Sequence, residues 1–355
     1  MCTSSLPDHH VRSARERMED IANSPFCDYR PDIYGRGGFV AEFEKEIANL
    51  LGKEAAVFMP SGTMAQPIAL RIWSDRAGSK RVAFHPTCHL ELYEHGAYRE
   101  LHHLEADLLG APQRLFTLDD LRQVKGKLSS LLIELPQREI GGQLPTWEEL
   151  SAIAEYAKEH DIRLHLDGAR LWECQPYYAR SYKEIVASFD SVYVSFYKIL
   201  FGLPGAALAG PADFVDEARI WMRRQGGNLV HMFPNAISAK TGLDLRLPRI
   251  AEYVAKAGEV AAILGEFQGV TVVPRQPPTN MMHLVFDAPV ERVFEAAGRI
   301  AERDNCLLLS RAQSIDSRTK VELWIGDAGI EIPKERLRRL LTNFMQIVSE
   351  PEIGA

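Results

Sequence analysis

The chain has 355 residues, of which 46% are hydrophobic, 9% aromatic and 25% charged, and its 41 Lys and Arg against 48 Asp and Glu give a formal net charge of −7. This composition excludes a disordered chain, a collagen and a disulfide scaffold, and the length predicts two domains with a substantial core. The mild acidity, without any run of Lys or Arg, argues against a nucleic-acid partner.

The start of the chain and its cysteines predict a cytoplasmic location. The first ten residues lack the basic and apolar regions of a secretory signal, and no later stretch approaches about 18 uncharged apolar residues. The five scattered cysteines form no C-x-x-C pair, which favours neither a zinc site nor a disulfide framework. We therefore expect reduced thiols, no bound metal and no membrane partner.

Strands and helices alternate through the first two thirds of the chain. A polar, mobile N-terminal segment over 1–33 precedes a helix in which Phe39, Phe43, Ile47 and Leu51 recur at every fourth residue before Gly52. Short apolar runs predict buried strands at Ala55–Met59, Arg81–Phe84, Leu131–Leu135, Arg163–Asp167, Ser191–Ser195 and Ala206–Ala209. Helical composition covers Met64–Trp73, Trp147–His160 and Ala212–Arg224. This alternation predicts an α/β fold with a doubly wound, mainly parallel sheet.

The order of predicted strands and helices changes near residue 246. A long helix over Leu247–Phe267 is followed by predicted strands at Met281–Phe286, Cys306–Ser310 and Val321–Ile325, and by helices at Val290–Arg303 and Lys334–Val348. This order is typical of a small α+β domain. We therefore predict a large domain over 34–245 and a small C-terminal domain over 246–355.

Three features at the ends of predicted strands suit one cofactor, because ligands of open α/β sheets bind beyond the carboxyl ends of the strands. Ser61-Gly62-Thr63 opens a helix and offers backbone N–H groups and hydroxyls to an anion. Asp167 ends an apolar strand, where a carboxylate needs a cationic partner. Lys198 follows the next strand in apolar surroundings, which favour a nucleophilic amine. A phosphate anchor, a partner for a pyridinium nitrogen and a Schiff-base amine are what pyridoxal phosphate requires.

Each of these features also has a simpler explanation. Ser61–Thr63 is compatible with an ordinary helix cap, Asp167 with an ion pair to Arg170, and Lys198 with a solvated lysine at a strand end. Their order on successive strand ends favours the cofactor site over three unrelated features.

Several segments resemble a known family. They are Gly52–Met64 (GKEAAVFMPSGTM), His165–Leu171 (HLDGARL), Tyr193–Lys198 (YVSFYK) and the pairs Gly141-Gly142 and Gly226-Gly227. From about Tyr34 to about Gly227 the chain is similar to the threonine aldolase / β-eliminating lyase family of fold-type-I pyridoxal phosphate enzymes. The resemblance implies an aspartate aminotransferase-like large domain, and the small domain matches only in its pattern.

The resemblance also implies roles for individual residues. Lys198 would form the Schiff base, Asp167 would hold the pyridinium proton, and Ser61, Gly62, Thr63 and Ser195 would bind the phosphate. His89 matches the family histidine that stacks on the cofactor ring and handles the proton of the β-hydroxyl; a capping or core histidine is the alternative. Arg170 matches an arginine near the ring and the substrate carboxylate, and Arg224 or its neighbour Arg223 would reach the phosphate.

Departures from the family leave the substrate carboxylate without an obvious partner. The family's Ser-Asp-Thr segment has no counterpart before Tyr34, and Tyr197 stands where the family usually has a serine before the lysine. Gln137 and Arg138 replace an Asn-rich strand end, and Glu322 stands where the family has a carboxylate-binding arginine. Arg138 or Arg311 would supply the missing charge, or the substrate differs.

The resemblance implies aldol cleavage of a β-hydroxy-α-amino acid to glycine and an aldehyde. Alternatives at the same cofactor are β-elimination and racemisation. Alternatives of another class are a non-catalytic or metabolite-sensing relative that binds pyridoxal phosphate, and a phosphate-binding module without it. The family resemblance further implies a homodimer or homotetramer acting on a small amino acid.

Overall fold

The computed structural model describes residues 2–350, and these residues fall into two compact units. Residues 13–139 and 144–248 form the larger unit; residues up to 12, 140–143 and those from 249 onward form the smaller one. The division at 249 lies close to the predicted boundary at 246. The segment 1–33, predicted as one piece, is divided at residue 12.

The described residues contain thirteen strands. In chain order these are β1 Ser4–Ser5, β2 Ala55–Met59, β3 Arg81–Phe84, β4 Glu105–Leu108, β5 Ser130–Glu134, β6 Arg163–Gly168, β7 Ser191–Ser195, β8 Ala206–Gly210, β9 Val270–Val273, β10 Met281–Phe286, β11 Cys306–Leu307, β12 Gln313–Ile315 and β13 Arg318–Trp324.

Fifteen α-helices connect the strands over the same residues. They are α1 Ala14–Ala22, α2 Gly38–Leu51, α3 Gly62–Ala77, α4 His89–Leu92, α5 Ala97–Glu100, α6 Leu118–Arg122, α7 Trp147–Glu159, α8 Gln175–Tyr178, α9 Tyr182–Ile185, α10 Ala212–Arg224, α11 Phe233–Arg246, α12 Ile250–Leu264, α13 Val290–Asp304, α14 Asp327–Ile330 and α15 Lys334–Ser349.

In the larger unit, β2 to β8 form one sheet in the order β2-β8-β7-β6-β5-β3-β4. Only β8 runs antiparallel to its neighbours, β2 and β7, and the remaining pairs are parallel. The predicted mainly parallel sheet is therefore confirmed. Strands β7 and β8 are buried along their whole length, as expected for strands covered on both faces.

Local sequence explains where several helices begin and end. Helix α2 buries Phe39, Phe43 and Ile47 on one face and stops at Gly52, whose left-handed φ of 60° suits a residue without a side chain. Helix α1 begins with a capping box between Ser13 and Glu16. The N-terminal segment therefore contains a capped helix over these residues.

The smaller unit contains the antiparallel sheet β12-β13-β10-β9 and the two-stranded parallel sheet β1-β11. Apolar residues of α12, α13 and α15 form a buried core with those of the sheet strands. Two predictions are corrected. The helix over Leu247–Phe267 is a 3-10 turn followed by α12, because Pro248 lacks an N–H donor. The strand over Cys306–Ser310 shortens to two residues, since only those pair with β1.

No helix between residues 2 and 350 has the length and apolar character needed to cross a membrane.

A buried hydrogen-bond chain links α3 to β6 and β7. Trp73 Nε1 donates to Ser191 Oγ over 2.8 Å, and the Ser191 hydroxyl lies 2.8 Å from His165 Nδ1. His165 Nε2 lies 2.7 Å from Gln66 Oε1. Because the amide oxygen can only accept, Nε2 carries the proton and Nδ1 accepts from Ser191. His165 is thus held as a neutral ring.

The folded protein is expected to lose stability in acid partly through His165. Burial lowers the pKa of its imidazole to about 3, against an ordinary value of 6.5. Between these values the unfolded chain binds a proton that the folded chain does not, so the free energy of unfolding falls as pH falls, by up to about 1.4 kcal/mol per pH unit. Urea unfolding from pH 7 to pH 4.5 measures this slope. The variant His165→Leu should have a shallower slope, and an identical slope would contradict the assignment.

Candidate active site

Two carboxylates lie side by side at the carboxyl ends of neighbouring strands. Glu134 ends β5, and its register partner Asp167 lies at the end of β6, next to Tyr193 of β7. Asp167 is buried and its Oδ1 accepts a hydrogen bond of 3.0 Å from the amide of Ala169. The sheet therefore brings two acidic groups to the edge where α/β folds bind ligands.

Lys198 follows β7 and faces these carboxylates. Burial, followed by the nearby Arg170 guanidinium, lowers the pKa of its amine to about 8, while Asp167 and Glu134 oppose the shift. A lysine with a pKa near neutrality has an appreciable neutral fraction, which is the nucleophilic form. The structure thus brings together Lys198, Asp167 and Arg170, and the roles of these residues stay predictions.

Glu134 is a site residue that the sequence analysis missed. Its Oε2 accepts from Gln137 Nε2 over 2.9 Å and its Oε1 from the Arg138 amide over 3.2 Å. Burial and the neighbouring Asp167 raise the pKa of its carboxyl to about 8. The signal was the same as for Asp167, a single acidic residue at the end of an apolar strand.

The start of α3 forms a cup suited to an anion. Ser61 caps this helix by accepting a 3.3 Å hydrogen bond from the Met64 amide, which leaves earlier N–H groups of the first turn without helical partners. A side chain at Gly62 would collide with the hydroxyl of Tyr193. Backbone donors at a helix N-terminus bind phosphate.

His89 lies at the start of the short helix α4. Its Nδ1 is 2.9 Å from Oε1 of Glu94, and its ring is tilted against that of Tyr93 with centroids 5.3 Å apart. The His89 side chain is 39% exposed, whereas that of Glu94 is 2% exposed. His89 is therefore not a core residue, and the structure pairs it with a buried acid that the sequence analysis did not single out.

These residues fit pyridoxal phosphate. The first turn of α3 offers donors for the phosphate, the buried Asp167 offers a carboxylate for the ring nitrogen, and Lys198 offers an amine with a lowered pKa. The lack of a side chain at Gly62 lets the start of α3 approach Tyr193 closely. The chemistry of this donor set matches each part of the cofactor.

The other predicted ligands have partners of their own. The Ser195 hydroxyl donates to the Ala169 carbonyl over 2.8 Å, so it would have to leave that bond to serve a phosphate. Arg224 lies 4.6 Å from the ring of Trp221. Arg138 forms a 3.1 Å ion pair with Glu139.

Arg311 belongs to the smaller unit, where it lies near Asp8. The roles of Ser195, Arg224, Arg138 and Arg311 stay predictions.

Comparison with known proteins identifies the family. The profile of the beta-eliminating lyases matches residues 14–288. The chain belongs to the beta-eliminating lyase family. Low-specificity L-threonine aldolase 1 of Arabidopsis thaliana is 27% identical over 85% of this chain and 86% of its own, and the low specificity L-threonine aldolase of Escherichia coli O157:H7 is 27% identical over 78% and 82%.

Solved structures of similar proteins support the same family and fold. A Listeria monocytogenes protein assigned as an L-allo-threonine aldolase is 43% identical, with a TM-score of 0.94 over 98% of this chain and 96% of the other. The threonine aldolase of Leishmania major, at 18% identity, has a TM-score of 0.72 over 98% and 100% and supports the fold alone. The predicted family, fold-type-I fold and pyridoxal phosphate-dependent lyase chemistry are confirmed.

Proposed function

We propose that this protein cleaves a β-hydroxy-α-amino acid of the threonine type to glycine and an aldehyde. The observation that carries this proposal is the juxtaposition of Lys198 and Asp167 at the strand ends, in a chain similar to threonine aldolases over most of its length. His89 supplies a group able to take the hydroxyl proton. A non-catalytic relative would have no need of both a lysine with a lowered pKa and its buried carboxylate.

Each residue has a distinct task in this reaction. The amine of Lys198 provides the covalent attachment point, and Asp167 holds a proton on the ring nitrogen. Pyridoxal phosphate, when bound, supplies an electron sink for the charge that develops at Cα. His89 accepts the β-hydroxyl proton while the Cα–Cβ bond breaks, so the hydroxyl carbon leaves as an aldehyde and Cα regains a proton to give glycine.

Arg170 is the residue we propose for the substrate carboxylate. It lies close enough to Lys198 to lower the pKa of that amine, and a guanidinium binds a carboxylate in bidentate fashion. Glu322 cannot take this part, because its negative charge would repel a carboxylate.

Glycine release from a panel of hydroxy amino acids tests the proposed function. The protein loaded with pyridoxal phosphate should absorb visible light and release glycine from threonine, allo-threonine or phenylserine. Ammonia and a keto acid instead of glycine would indicate β-elimination. Visible absorbance without any product would favour a sensing relative, and no absorbance would overturn the cofactor assignment of this chain.

We also propose that the protein forms a homo-oligomer through the larger unit. Ile33, Tyr34, Leu229 and Val230 are 63%, 51%, 47% and 51% exposed, and the Tyr34 amide donates to the Val230 carbonyl, which brings the two segments together. Exposed apolar clusters of this kind mark protein interfaces. The substitutions Ile33→Asp and Val230→Asp should lower the molar mass measured by light scattering. Leu101→Asp, at another exposed apolar residue, should leave it unchanged.

A cytoplasmic location is part of the same proposal. All five cysteines are free thiols, which suits a reducing compartment.

A further inference from the structure

We propose that Glu94 is a positioning residue that fixes the ring of His89, so that Nε2 of His89 accepts the proton of the substrate hydroxyl. This inference rests on the proposed function and deepens it. Two observations carry it, the 2.9 Å contact between Glu94 Oε1 and His89 Nδ1 and the burial of the carboxylate beside an exposed ring.

The contact selects one tautomer of His89. A carboxylate can only accept hydrogen bonds, so the bonded Nδ1 must carry a proton. In the neutral ring the lone pair then lies on Nε2, the nitrogen on the opposite side of the ring from Glu94. A buried carboxylate that orients an imidazole in this way also stabilises the imidazolium formed when the ring takes up a second proton.

A purely structural role explains Glu94 poorly. Its second oxygen, Oε2, is buried and has no hydrogen-bond partner among the described residues, which is costly for a carboxylate. Its backbone carbonyl accepts from the Ala97 amide, and that bond does not depend on the side chain. If this position served only to anchor the loop after α4, a neutral side chain would suit it better than a buried carboxylate.

The Glu94 carboxyl lies within electrostatic range of the candidate active site. The charges of Asp167 and Lys198 both act on this carboxyl. Burial raises its pKa above the ordinary value, and the hydrogen bond from His89 opposes part of that rise. The pair of His89 and Glu94 is therefore electrostatically coupled to Lys198, the residue that takes part in covalent chemistry.

The proton transfer balances without a further reactant. The hydroxyl proton of the substrate moves to Nε2 of His89, and the O–H electron pair forms the carbonyl of the departing aldehyde. The electron pair of the broken Cα–Cβ bond stays with Cα, which later takes a proton. Glu94 keeps its hydrogen bond to Nδ1 throughout and does not itself receive the proton.

The test compares Glu94→Leu, His89→Asn and the double variant. Glu94→Leu removes the acceptor and the unpaired oxygen, so the protein should still fold. We expect kcat for cleavage of threonine or phenylserine to fall about 10²-fold, with little change in KM, and no further fall when Glu94→Leu is added to His89→Asn. The exchange of the α-proton of glycine with solvent, which involves no hydroxyl group, should stay near the wild-type rate.

A second measurement does not depend on activity. In the cofactor-free protein, ¹⁵N NMR should find His89 protonated on Nδ1, and Glu94→Leu should abolish that preference. Glu91→Gln is the matched control, because Glu91 lies in α4 with His89 but accepts a hydrogen bond from the Tyr98 hydroxyl. This variant should leave the His89 tautomer and kcat unchanged.

Three results would overturn the proposal. They are wild-type cleavage by Glu94→Leu, an added loss in the His89→Asn background, and a His89 ring protonated on Nε2 in the unmodified protein. If the loaded wild-type protein releases no glycine, the proposed function fails instead, and the NMR result still decides whether Glu94 sets the tautomer.

Discussion

Replacing Lys198 with alanine is expected to abolish both the visible absorbance of the loaded protein and its release of glycine. Lys198 combines a lowered pKa with a position facing Asp167 and Glu134, and the loss of a covalent nucleophile typically costs on the order of 10⁴-fold or more in kcat. Absorbance spectroscopy after addition of pyridoxal phosphate, followed by a glycine assay, measures both effects.

Lys53 provides the matched control for this experiment. Burial lowers the pKa of its amine as well, but that amine donates to the carbonyls of Val186 and Phe189. Lys53→Met should therefore keep the visible absorbance. If Lys198→Ala also kept it, another amine would be the attachment point and the assignment of this site would be wrong.

The central strands could be predicted from the sequence because each of these buried strands is a short run of apolar residues. β2, β3 and β7 have the predicted bounds, and each is followed by residues that punctuate a turn or carry chemistry. The carboxyl ends of parallel strands meet at one edge of a sheet, so Asp167 and Lys198 could be placed together without coordinates.

Features that depend on tertiary pairing were not predictable. Strand β4 lies at the sheet edge, where Glu105 and Leu108 are exposed, so it lacks the apolar run of a buried strand. The antiparallel direction of β8 is set by its neighbours β2 and β7, and no local pattern in the chain encodes it.

Of the two acidic site residues that the sequence analysis missed, Glu134 could have been predicted and Glu94 could not. Glu134 ends an apolar strand as Asp167 does, and the same argument would have found it. Glu94 follows α4 without any apolar run to mark it, and its importance appears only when the fold buries its carboxylate beside His89. A charged residue in a polar stretch carries no sign of its later burial.

Replacing Asp167 with asparagine is expected to lower kcat for cleavage on the order of 10²- to 10³-fold, the usual cost of losing a preorganised electrostatic partner. Asparagine keeps the size of the side chain and its oxygen can still accept from the Ala169 amide. It cannot hold a proton on the ring nitrogen, because it has no charge. Steady-state kinetics of glycine release, with far-ultraviolet circular dichroism to confirm folding, measure the effect.

The neighbouring carboxylate separates the role of Asp167 from a general effect of charge. Both Asp167 and Glu134 raise the pKa of the Lys198 amine, so Asp167→Asn and Glu134→Gln should each lower that pKa below about 8, which the pH dependence of lysine modification in the cofactor-free protein reports. Only Asp167→Asn should lose most of kcat. Equal losses in the two variants would mean that the strand ends supply negative charge to Lys198 and that Asp167 has no separate part in holding the ring.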